Sequence, residues 1–372
     1  MGSIPLHAPV FGGQERRYVL DCLDSGWVSS VGSYVDRFEE MTAAVAGTRF
    51  AVATVNGTAA LHVALHALGV GAGNLVLCPS LTFIATANAI AYSGATPLLV
   101  DSATDTLGMD VVKLRSFLYE QCQVRDGACY WNGRRIAAAT PVHVFGQPVH
   151  MNELNQLCDE FHIAVIEDST EALGSTYQGR PCGSLARMGT FSFNGNKIIT
   201  TGGGGMVVTD DEDLARRLKH LTTTARIPAG WEFQHDEIGY NYRLPNLNAA
   251  LGCGQLERLD RYLAAKRHLH DLYRDAFAGI DGVRLVESVD GSQSNYWLCA
   301  LMFEDKASRD AFLSITNEQG IQTRPCWQLM HQSVAYAHAP CTDRLETAEK
   351  IADQLVNIPS SPWLVDRGLA DV

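Results

Sequence analysis

The chain has no long apolar run, and it carries few positive charges for its 372 residues. No hydrophobic stretch reaches the roughly 20 residues of a membrane-spanning helix, so no such helix is expected. The 29 Lys and Arg residues are outnumbered by 41 Asp and Glu residues, which gives a formal net charge of −12. Nucleic acid and anionic membranes would repel such a chain. An anionic ligand therefore needs a local cluster of donors.

Clustered cysteines are also missing, although the chain contains ten cysteines. None forms a CxxC pair, and no Cys and His residues have the spacing of a zinc finger. Scattered thiols of this kind are typical of a reducing compartment, and no metal is expected. The stretch MGSIPLHAPVFGG lacks the charged segment and apolar core of a signal peptide. These features predict a soluble, cytoplasmic protein.

Short apolar runs alternate with helical segments through the first half of the chain. The runs are NLVLCP, ATPLLVD, TPVHVFG and AVIED, which end at Pro79, Asp101, Gly146 and Asp168. Apolar strands that alternate with helices predict an α/β fold with a mainly parallel central sheet between helices. The Asn-Gly pair within ACYWNGRRI, residues 128–136, predicts a small hairpin.

The pattern changes after Asn246. A long helix is expected over residues 247–277, followed by the strands GVRLVES and NYWLCALMF and by helices near 306–319 and 347–356. We therefore expect a large domain over residues 1–246, which includes the N-terminal segment, and a small α+β C-terminal domain over residues 247–372.

The first motif that indicates chemistry is Asn56-Gly57-Thr58, which precedes an amphipathic helical pattern. Gly57 and Thr58 are therefore predicted at a helix N-terminus. Free backbone N–H groups and the helix dipole favour an anion such as phosphate at that position. An ordinary helix cap is the alternative, and the motif by itself leaves it open.

The second motif is AVIEDSTEALGS, in which Asp168 ends a buried apolar run. An unpaired carboxylate is costly in such a place. Asp168 therefore either caps the following turn or meets a cationic ligand. A carboxylate there can keep a pyridinium nitrogen protonated, because each charge favours the ionised form of the other.

The third motif is SFNGNKIITTGGGG, residues 192–205, with a single lysine, Lys197, among apolar residues. A partly desolvated amine can serve as a nucleophile or base, and the glycines allow the backbone to approach a ligand closely. The run is neither a Walker loop, in which Lys follows the glycines, nor GxGxxG. A surface loop with a solvated lysine is the alternative interpretation.

Together the three motifs supply what pyridoxal 5′-phosphate requires: a phosphate seat, an acid for the pyridine nitrogen and a lysine. Phe83, in CPSLTFIATA, adds a flat apolar face on which the ring could stack. In this chemistry the lysine forms a Schiff base with the cofactor, the ring takes up carbanion charge, and the freed amine moves a proton.

The sequence resembles the DegT-type nucleotide-sugar aminotransferases, which have the aspartate aminotransferase-like fold of type I pyridoxal-phosphate enzymes. The similar motifs are IPLHAPVFGGQE, SGWVSSVGSYVDRFE, NGTAAL, PSLTFIATANAI, EDSTEALGS, SFNGNKIITTGGGG, GYNYRLPNLNAALG and TRPCWQLMH, in that order. They extend over nearly the whole chain, which makes the resemblance far more specific than any single motif.

The resemblance implies a role for each motif residue. Lys197 would be the Schiff-base lysine, and Asp168 the partner of the pyridine nitrogen. The phosphate and ring contacts would come from Gly57, Thr58, Ser192 and Phe83. Asn241 would reach the cofactor phosphate of the neighbouring subunit in a homodimer with shared active sites. Many members carry Gln or His where this chain has Glu171, and a carboxylate near the ring oxygen would be repulsive unless protonated or turned away.

The runs SFNGNKIITTGGGG and TRPCWQLMH are most similar to the LegC-type subgroup. That likeness implies 4-amination of a UDP-linked 2-acetamido-4-keto-2,6-dideoxyhexose, with L-glutamate as amino donor, toward bacillosamine or legionaminic-type surface glycans. Trp27 and Ser29 resemble the sugar-nucleotide loop of the family. Candidate cations for the anionic substrate are Arg226, Arg243, Arg324 and His331, although each also suits an ordinary surface or interface charge.

Four alternatives accompany this expectation. Like some members of the family, the protein could aminate C3, or act on a dTDP- or GDP-linked 4-keto sugar. Family dehydratases carry histidine in place of the lysine, so Lys197 argues against that activity. A catalytically silent sensor protein has no support, since every anchor residue is present. A Rossmann dehydrogenase is disfavoured because no GxGxxG follows the first strand.

Overall fold

A computed structural model of the chain describes residues 3–369, apart from the side chain of Arg367; the outermost residues of both predicted domains lie outside this range. Eleven α-helices lie within the described residues: α1 Glu15–Ser25, α2 Ser33–Ala46, α3 Gly57–Ala67, α4 Ile84–Tyr92, α5 Val111–Gln121, α6 Met151–Glu160, α7 Glu212–Thr222, α8 Asn246–Leu256, α9 Leu259–Phe277, α10 Lys306–Glu318 and α11 Glu346–Gln354.

The described residues contain eighteen strands: β1 Phe50–Thr54, β2 Leu75–Pro79, β3 Thr96–Val100, β4 Gln123–Arg125, β5 Ala128–Trp131, β6 Arg134–Ala139, β7 Ala164–Asp168, β8 Thr176–Tyr177, β9 Arg180–Pro181, β10 Met188–Ser192, β11 Gly205–Thr209, β12 Arg226–Ile227, β13 Gln234–His235, β14 Val283–Leu285, β15 Ser292–Gln293, β16 Cys299–Phe303, β17 Arg324–Pro325 and β18 Leu355–Ile358. Nine of them form one large sheet with the order β1-β11-β10-β7-β6-β2-β3, extended by β4 and β5.

Most strands of the large sheet point the same way. β10, β7, β6, β2 and β3 are parallel, and β11 is antiparallel to both β10 and β1. The carboxyl ends of β1, β10, β7 and β2 therefore meet at one edge of the sheet. Ligands of open α/β sheets bind at such edges, so the fold itself brings the loops after these strands together.

Local sequence explains the central elements. All five residues of β2 are buried, as are the last four of β3 and of β7, because helices cover both faces of the sheet. Helix α3 begins where the Asn56 side chain accepts a hydrogen bond from the Ala59 N–H at 2.8 Å. Asp110 and Asp211 cap α5 and α7 in the same way.

The predicted α/β fold is confirmed, and three of the four predicted strands form as β2, β3 and β7. The fourth prediction, TPVHVFG, is wrong: the strand is β6, and residues 140–146 form a loop with a 3-10 turn. Phe145 and Gly146 have φ angles of 55° and 95°, which no strand accommodates. The predicted hairpin of residues 128–136 is confirmed as β5 and β6, with Asn132 and Gly133 at positive φ.

A second, antiparallel sheet with the order β14-β16-β18-β17 lies in the last third of the chain. The long helix predicted for residues 247–277 is divided in two. α8 ends at Leu256 and α9 begins at Leu259, with Arg258 outside helical geometry at φ −114° and ψ 4°. α8 packs against α1 and α2 of the N-terminal segment. The division into domains at residue 246 stays a prediction.

Replacement of Gly189 by alanine should destabilise the large sheet. An added Cβ would lie 2.3 Å from the Gly183 carbonyl oxygen, a backbone atom that cannot rotate away. We expect a loss of at least about 2 kcal/mol in the free energy of unfolding, measured by denaturant titration. Gly71→Ala is the matched control, because its Cβ would meet only the Ser93 carbonyl oxygen at 3.9 Å. Equal stability of the two variants would contradict this packing.

Candidate active site

A cavity of about 350 Å³ lies at the edge where the parallel strands end. Most of its lining comes from the loops after β1, β2, β7 and β10 and from the helix turns that follow them. The rest comes from Val142 after β6 and from two tryptophans of the last third of the chain. It is lined by Asn56, Gly57, Thr58, Leu61, Thr82, Phe83, Ala85, Thr86, Val142, Asp168, Thr170, Glu171, Ser192, Asn194, Asn196, Lys197, Trp297 and Trp327. Seven of the residues predicted from sequence motifs are therefore together.

Asp168 is the last residue of β7 and is 2% exposed. Its carboxylate accepts hydrogen bonds from the Thr86 hydroxyl at 2.7 Å, and from the Thr170 hydroxyl at 2.6 Å and N–H at 3.2 Å. These donors fix the orientation of the carboxylate. The sequence had suggested either a turn cap or a partner for a cationic ligand, and the geometry combines a capped turn with a carboxylate that lines the cavity.

Lys197 lies in the loop between β10 and β11, and only 13% of its side chain is exposed. Its Nζ is 3.4 Å from Glu171 Oε1 and 3.9 Å from the centroid of the Trp297 ring. The alternative of a solvated surface lysine is therefore wrong. A cation in this position has one carboxylate and one aromatic face as its partners.

Glu171 is buried, and its Oε2 accepts the Phe145 N–H at 2.8 Å. Burial raises the pKa of Glu171 to about 7, although Lys197 and the Phe145 N–H act in the opposite direction. Asp168 raises it further. A carboxyl group with this pKa can be neutral or charged near neutral pH, so Glu171 can adopt the protonated form in which no repulsion of the ring oxygen is expected.

The start of α3 lies directly against the end of β10. A Cβ on Gly57 would be 2.8 Å from Ser192 Cβ, so only glycine allows this approach. The first N–H groups of an α-helix have no partner within the helix. Gly57 and Thr58 thus present backbone donors to the cavity beside the Ser192 hydroxyl, which is a suitable seat for an anion.

Aromatic side chains form one wall of the cavity. Phe83, 51% exposed, lies edge-on to Trp327 with ring centroids 6.0 Å apart. Trp327 in turn packs on Phe145 at 4.8 Å. Phe83 is therefore partly free to cover a flat ligand.

Four of the cavity residues that sequence reasoning missed make contacts with predicted site residues or form a wall of the cavity: Thr86, Thr170, Trp297 and Trp327. Thr170 follows Asp168 by two residues, a spacing at which a hydroxyl can bond a neighbouring carboxylate, so a local signal existed. Thr86 lies within the motif PSLTFIATANAI, and Trp327 lies within TRPCWQLMH. Trp297 had no local signal, because it reaches the cavity only through packing of the last third against the large sheet.

Three predicted residues lie outside this cavity and are exposed. Asn241 forms an isolated bridge with Thr223. Trp27 is 58% exposed, and its carbonyl oxygen accepts the Asn246 side-chain amide at 2.7 Å. Ser29 is exposed next to it. None of the three contacts the cavity of its own chain.

The predicted cations also lie outside the cavity. Arg324 and Arg226 are exposed; Arg324 donates to the Asn317 side chain, and Arg226 lies over the Phe233 ring. His331 is held between Ser80 at 2.7 Å and Glu349 at 3.0 Å. Arg243 lines a separate cavity of about 190 Å³, and its buried Nε has no partner among the described residues.

Comparison with known proteins identifies the family, because residues 10–372 match the DegT/DnrJ/EryC1/StrS aminotransferases. The chain belongs to this family. It is therefore a pyridoxal-phosphate-dependent sugar aminotransferase with the type I aminotransferase fold, as predicted, and pyridoxal 5′-phosphate is its cofactor.

Several relatives are similar over almost their full length. GDP-perosamine synthase of Caulobacter vibrioides is 38% identical over 368 residues, which cover 98% of this chain and 94% of the relative. The enzyme of the same name from Escherichia coli O157:H7 is 36% identical, with 98% and 95% covered. The crystal structure of the aminotransferase TlmJ from Streptoalloteichus hindustanus superposes with a TM-score of 0.89 at 28% identity, covering 100% and 97%.

These relatives refine one expectation. The expected likeness to the LegC-type subgroup, with its UDP-linked substrate, has no specific support among them, since the two synthases are named for a GDP-linked sugar. A separate finding concerns membranes: across residues 3–369, every helix is too short or too polar to span a bilayer.

The cavity fits the cofactor of the family. A helix N-terminus and a hydroxyl lie at the Gly57 approach, the Asp168 carboxylate lines the same cavity, and Lys197 provides an amine with little solvent exposure. The cavity thus has residues of suitable chemistry for the phosphate, the pyridine nitrogen and the aldehyde of the cofactor. The family assignment and the geometry of this chain therefore agree.

The buried Glu171 should give the protein a pH-dependent stability that glutamine removes. The folded-state pKa lies above the ordinary value of 4.5, so protonated Glu171 stabilises the fold and this contribution is lost as pH rises through about 7. Glu171→Gln stays neutral. In thermal melts without cofactor, we expect its stability relative to wild type to increase between acidic and alkaline pH.

The control for this experiment is Glu120→Gln, which alters an exposed carboxyl group of α5. Its melting temperature should follow that of the wild type at every pH. A Glu171→Gln curve that runs parallel to the wild type would show that Glu171 binds its proton no more tightly in the folded protein than in the unfolded chain.

Proposed function

We propose that the protein aminates C4 of a GDP-linked 4-keto-6-deoxyhexose with L-glutamate as amino donor. The observation that carries the proposal is the nearly full-length similarity to two GDP-perosamine synthases. Perosamine is a 4-amino-4,6-dideoxy sugar, so its formation requires transfer of an amino group to a 4-keto precursor. Amino-sugar formation of this kind serves bacterial surface polysaccharides.

We assign the reacting amine to Lys197. When bound, pyridoxal 5′-phosphate supplies an aldehyde that condenses with amines and a ring that takes up carbanion charge. Lys197 Nζ would accept the proton from the α-carbon of L-glutamate and later deliver a proton to C4 of the sugar. Its low exposure supports this role, since a desolvated amine exchanges protons with a bound substrate rather than with water.

The other cavity residues hold the cofactor in this proposal. Asp168 would pair with the pyridine nitrogen, and its fixed orientation through Thr86 and Thr170 supports that role. The N–H groups of Gly57 and Thr58, with the Ser192 hydroxyl, would bind the phosphate. Phe83 would cover the ring.

Glu171 would lie next to the reacting amine and the cofactor ring oxygen. At 3.4 Å from Lys197 Nζ it is close enough to exchange a proton with the amine. Its pKa of about 7 makes it a proton acceptor of the right strength near neutral pH. Glu171 would therefore hold the proton that Lys197 releases before the amine acts as a base.

The substrate specificity is tested with a panel of nucleotide sugars. Purified protein, pyridoxal 5′-phosphate and L-glutamate are incubated with 4-keto and 3-keto sugars linked to GDP, UDP or dTDP, and products are identified by mass and NMR. We expect amination of the GDP-linked 4-keto sugar with the highest kcat/KM. Lys197→Ala should lose all turnover, because none of the other described residues that line the cavity supplies an amine.

Other outcomes of the panel would reject parts of the proposal separately. Preference for the UDP-linked 2-acetamido-4-keto-2,6-dideoxyhexose would favour the LegC-type activity, which the motifs SFNGNKIITTGGGG and TRPCWQLMH resemble. Amination at C3 would overturn the regiochemistry. Turnover by Lys197→Ala would overturn the assignment of the amine.

We further propose that the active enzyme is a homodimer in which each subunit completes the site of its partner. Asn241, Trp27 and Ser29 are exposed and do not line the cavity of their own chain. Apolar side chains surround this part of α1 and the following loop: Leu20, Leu23, Val28 and Val31 are 38% to 55% exposed. Several exposed apolar side chains within one short stretch of chain favour association.

Mixed dimers test whether Asn241 acts across the interface. Asn241→Asp should weaken cofactor binding, because its charge would repel the phosphate, and Lys197→Ala should be inactive. If Asn241 serves the partner's site, subunits of the two variants reassembled together contain one site without either lesion, and activity returns. Absence of complementation in verified mixed dimers would place Asn241 in its own subunit's site or outside any site.

A further inference from the structure

The indole of Trp297 faces the amine of Lys197 and is rigidly held. Its Nε1–H donates to the Asn196 carbonyl oxygen at 2.7 Å, which fastens the ring to the residue before Lys197. The Trp297 carbonyl oxygen accepts the buried Lys266 amine at 3.1 Å. With 5% exposure and every polar group bonded, this ring has little freedom to move away from the amine.

One buried amide fixes both partners of the amine. Asn295 is fully buried, and its Oδ1 accepts the Trp297 N–H at 2.7 Å. Its Nδ2 donates to the carbonyl oxygens of Glu171 at 2.8 Å and of Leu173 at 2.9 Å. The aromatic face and the carboxylate beside Lys197 are therefore set relative to each other by the same side chain.

Backbone strain occurs at both partners. Tyr296, directly before Trp297, has a φ angle of 48°, and Phe145, whose N–H binds Glu171, has a φ angle of 55°. Bulky residues adopt positive φ only when their surroundings enforce it, and such residues cluster at functional sites. The two strained residues therefore help to fix the geometry around Lys197 and do not serve packing alone.

We propose that Trp297 is a positioning residue for Lys197, whose ring face holds the ε-amine beside Glu171 and favours its protonated form. This inference rests on the proposed role of Lys197. An aromatic quadrupole attracts an ammonium group but not a neutral amine, and the attraction is largest in a desolvated site. Trp297 would stabilise Nζ as the ammonium each time Lys197 has accepted a proton, until that proton is passed on.

Other charged groups also act on the amine and must be kept constant in a test. Glu171 is 3.4 Å away, and Asp168 lines the same cavity. Burial lowers the pKa of His7, and the nearby charges of Lys266 and Lys197 lower it further. The test therefore alters only the aromatic face and leaves these four residues unchanged.

The test measures how readily Lys197 reacts with an amine-specific acylating reagent in the cofactor-free protein, by mass spectrometry, from neutral to alkaline pH. Reactivity plotted against pH gives a profile for each variant. The height of this profile reports how accessible the Lys197 amine is to the reagent, and its position on the pH axis reports the balance of ammonium and neutral amine. For Trp297→Leu we expect a shift to lower pH by about one unit, which is a tenfold change in that balance. Trp297→Phe retains a ring face and should stay close to wild type.

Trp327→Leu is the matched control, because Trp327 lines the same cavity and makes its ring contacts with Phe83 and Phe145. Its profile should change in height only. Equal shifts in both leucine variants, or none in Trp297→Leu, would overturn the inference. If Trp297→Leu does not fold, the Trp297→Phe variant decides. A Trp297→Phe profile displaced by more than half a pH unit from the wild-type profile overturns the inference, and a Trp297→Phe profile that coincides with the wild-type profile supports it. These readouts do not depend on turnover, so they are independent of the substrate assignment.

Discussion

The arrangement of one amine between a carboxyl group and an aromatic ring governs the organisation of the site. Lys197 has little solvent around it, and a cation in such surroundings must be compensated by fixed partners. Glu171 comes from the loop after β7 and Trp297 from the segment before β16. Because the two partners lie on different parts of the chain, the geometry at the amine exists only when the antiparallel sheet is packed against the large sheet. If Lys197 has its proposed role, catalysis therefore depends on tertiary packing at one atom.

The sequence predicts correctly those strands whose apolar pattern matches their burial in the fold. β2, β3 and β7 are short apolar runs between helices, and a parallel sheet covered on both faces requires that pattern. It failed at residues 140–146, where apolar residues adopt a loop because Phe145 takes a positive φ and offers its N–H to Glu171. The break between α8 and α9 was also missed, since both flanking segments have helical periodicity.

The same distinction applies to the site. Asp168, Gly57 and Lys197 were predictable, because strand ends and helix starts are local features and the fold brings them to one edge. Trp297 was not, since it contacts Lys197 across 100 residues of chain and no neighbouring motif marks it. His331 is a different case: its sequence position suggested a substrate contact, which stays a prediction, and its ring nitrogens lie against Ser80 and Glu349, which the sequence did not indicate. Tertiary contacts decide both cases.

The charge of the cavity bears on how an acidic chain can serve an anionic substrate. Among the residues that line it, Asp168 and Glu171 face a single cation, Lys197, which the proposed chemistry occupies. The diphosphate of a nucleotide sugar therefore needs donors from elsewhere. Arg243, whose Nε has no partner among residues 3–369 and lies in a separate cavity, and the exposed Arg324 are candidates for this. A site completed by a second subunit would bring such cations to the substrate while leaving the proton-transfer cavity of each chain free of competing positive charge.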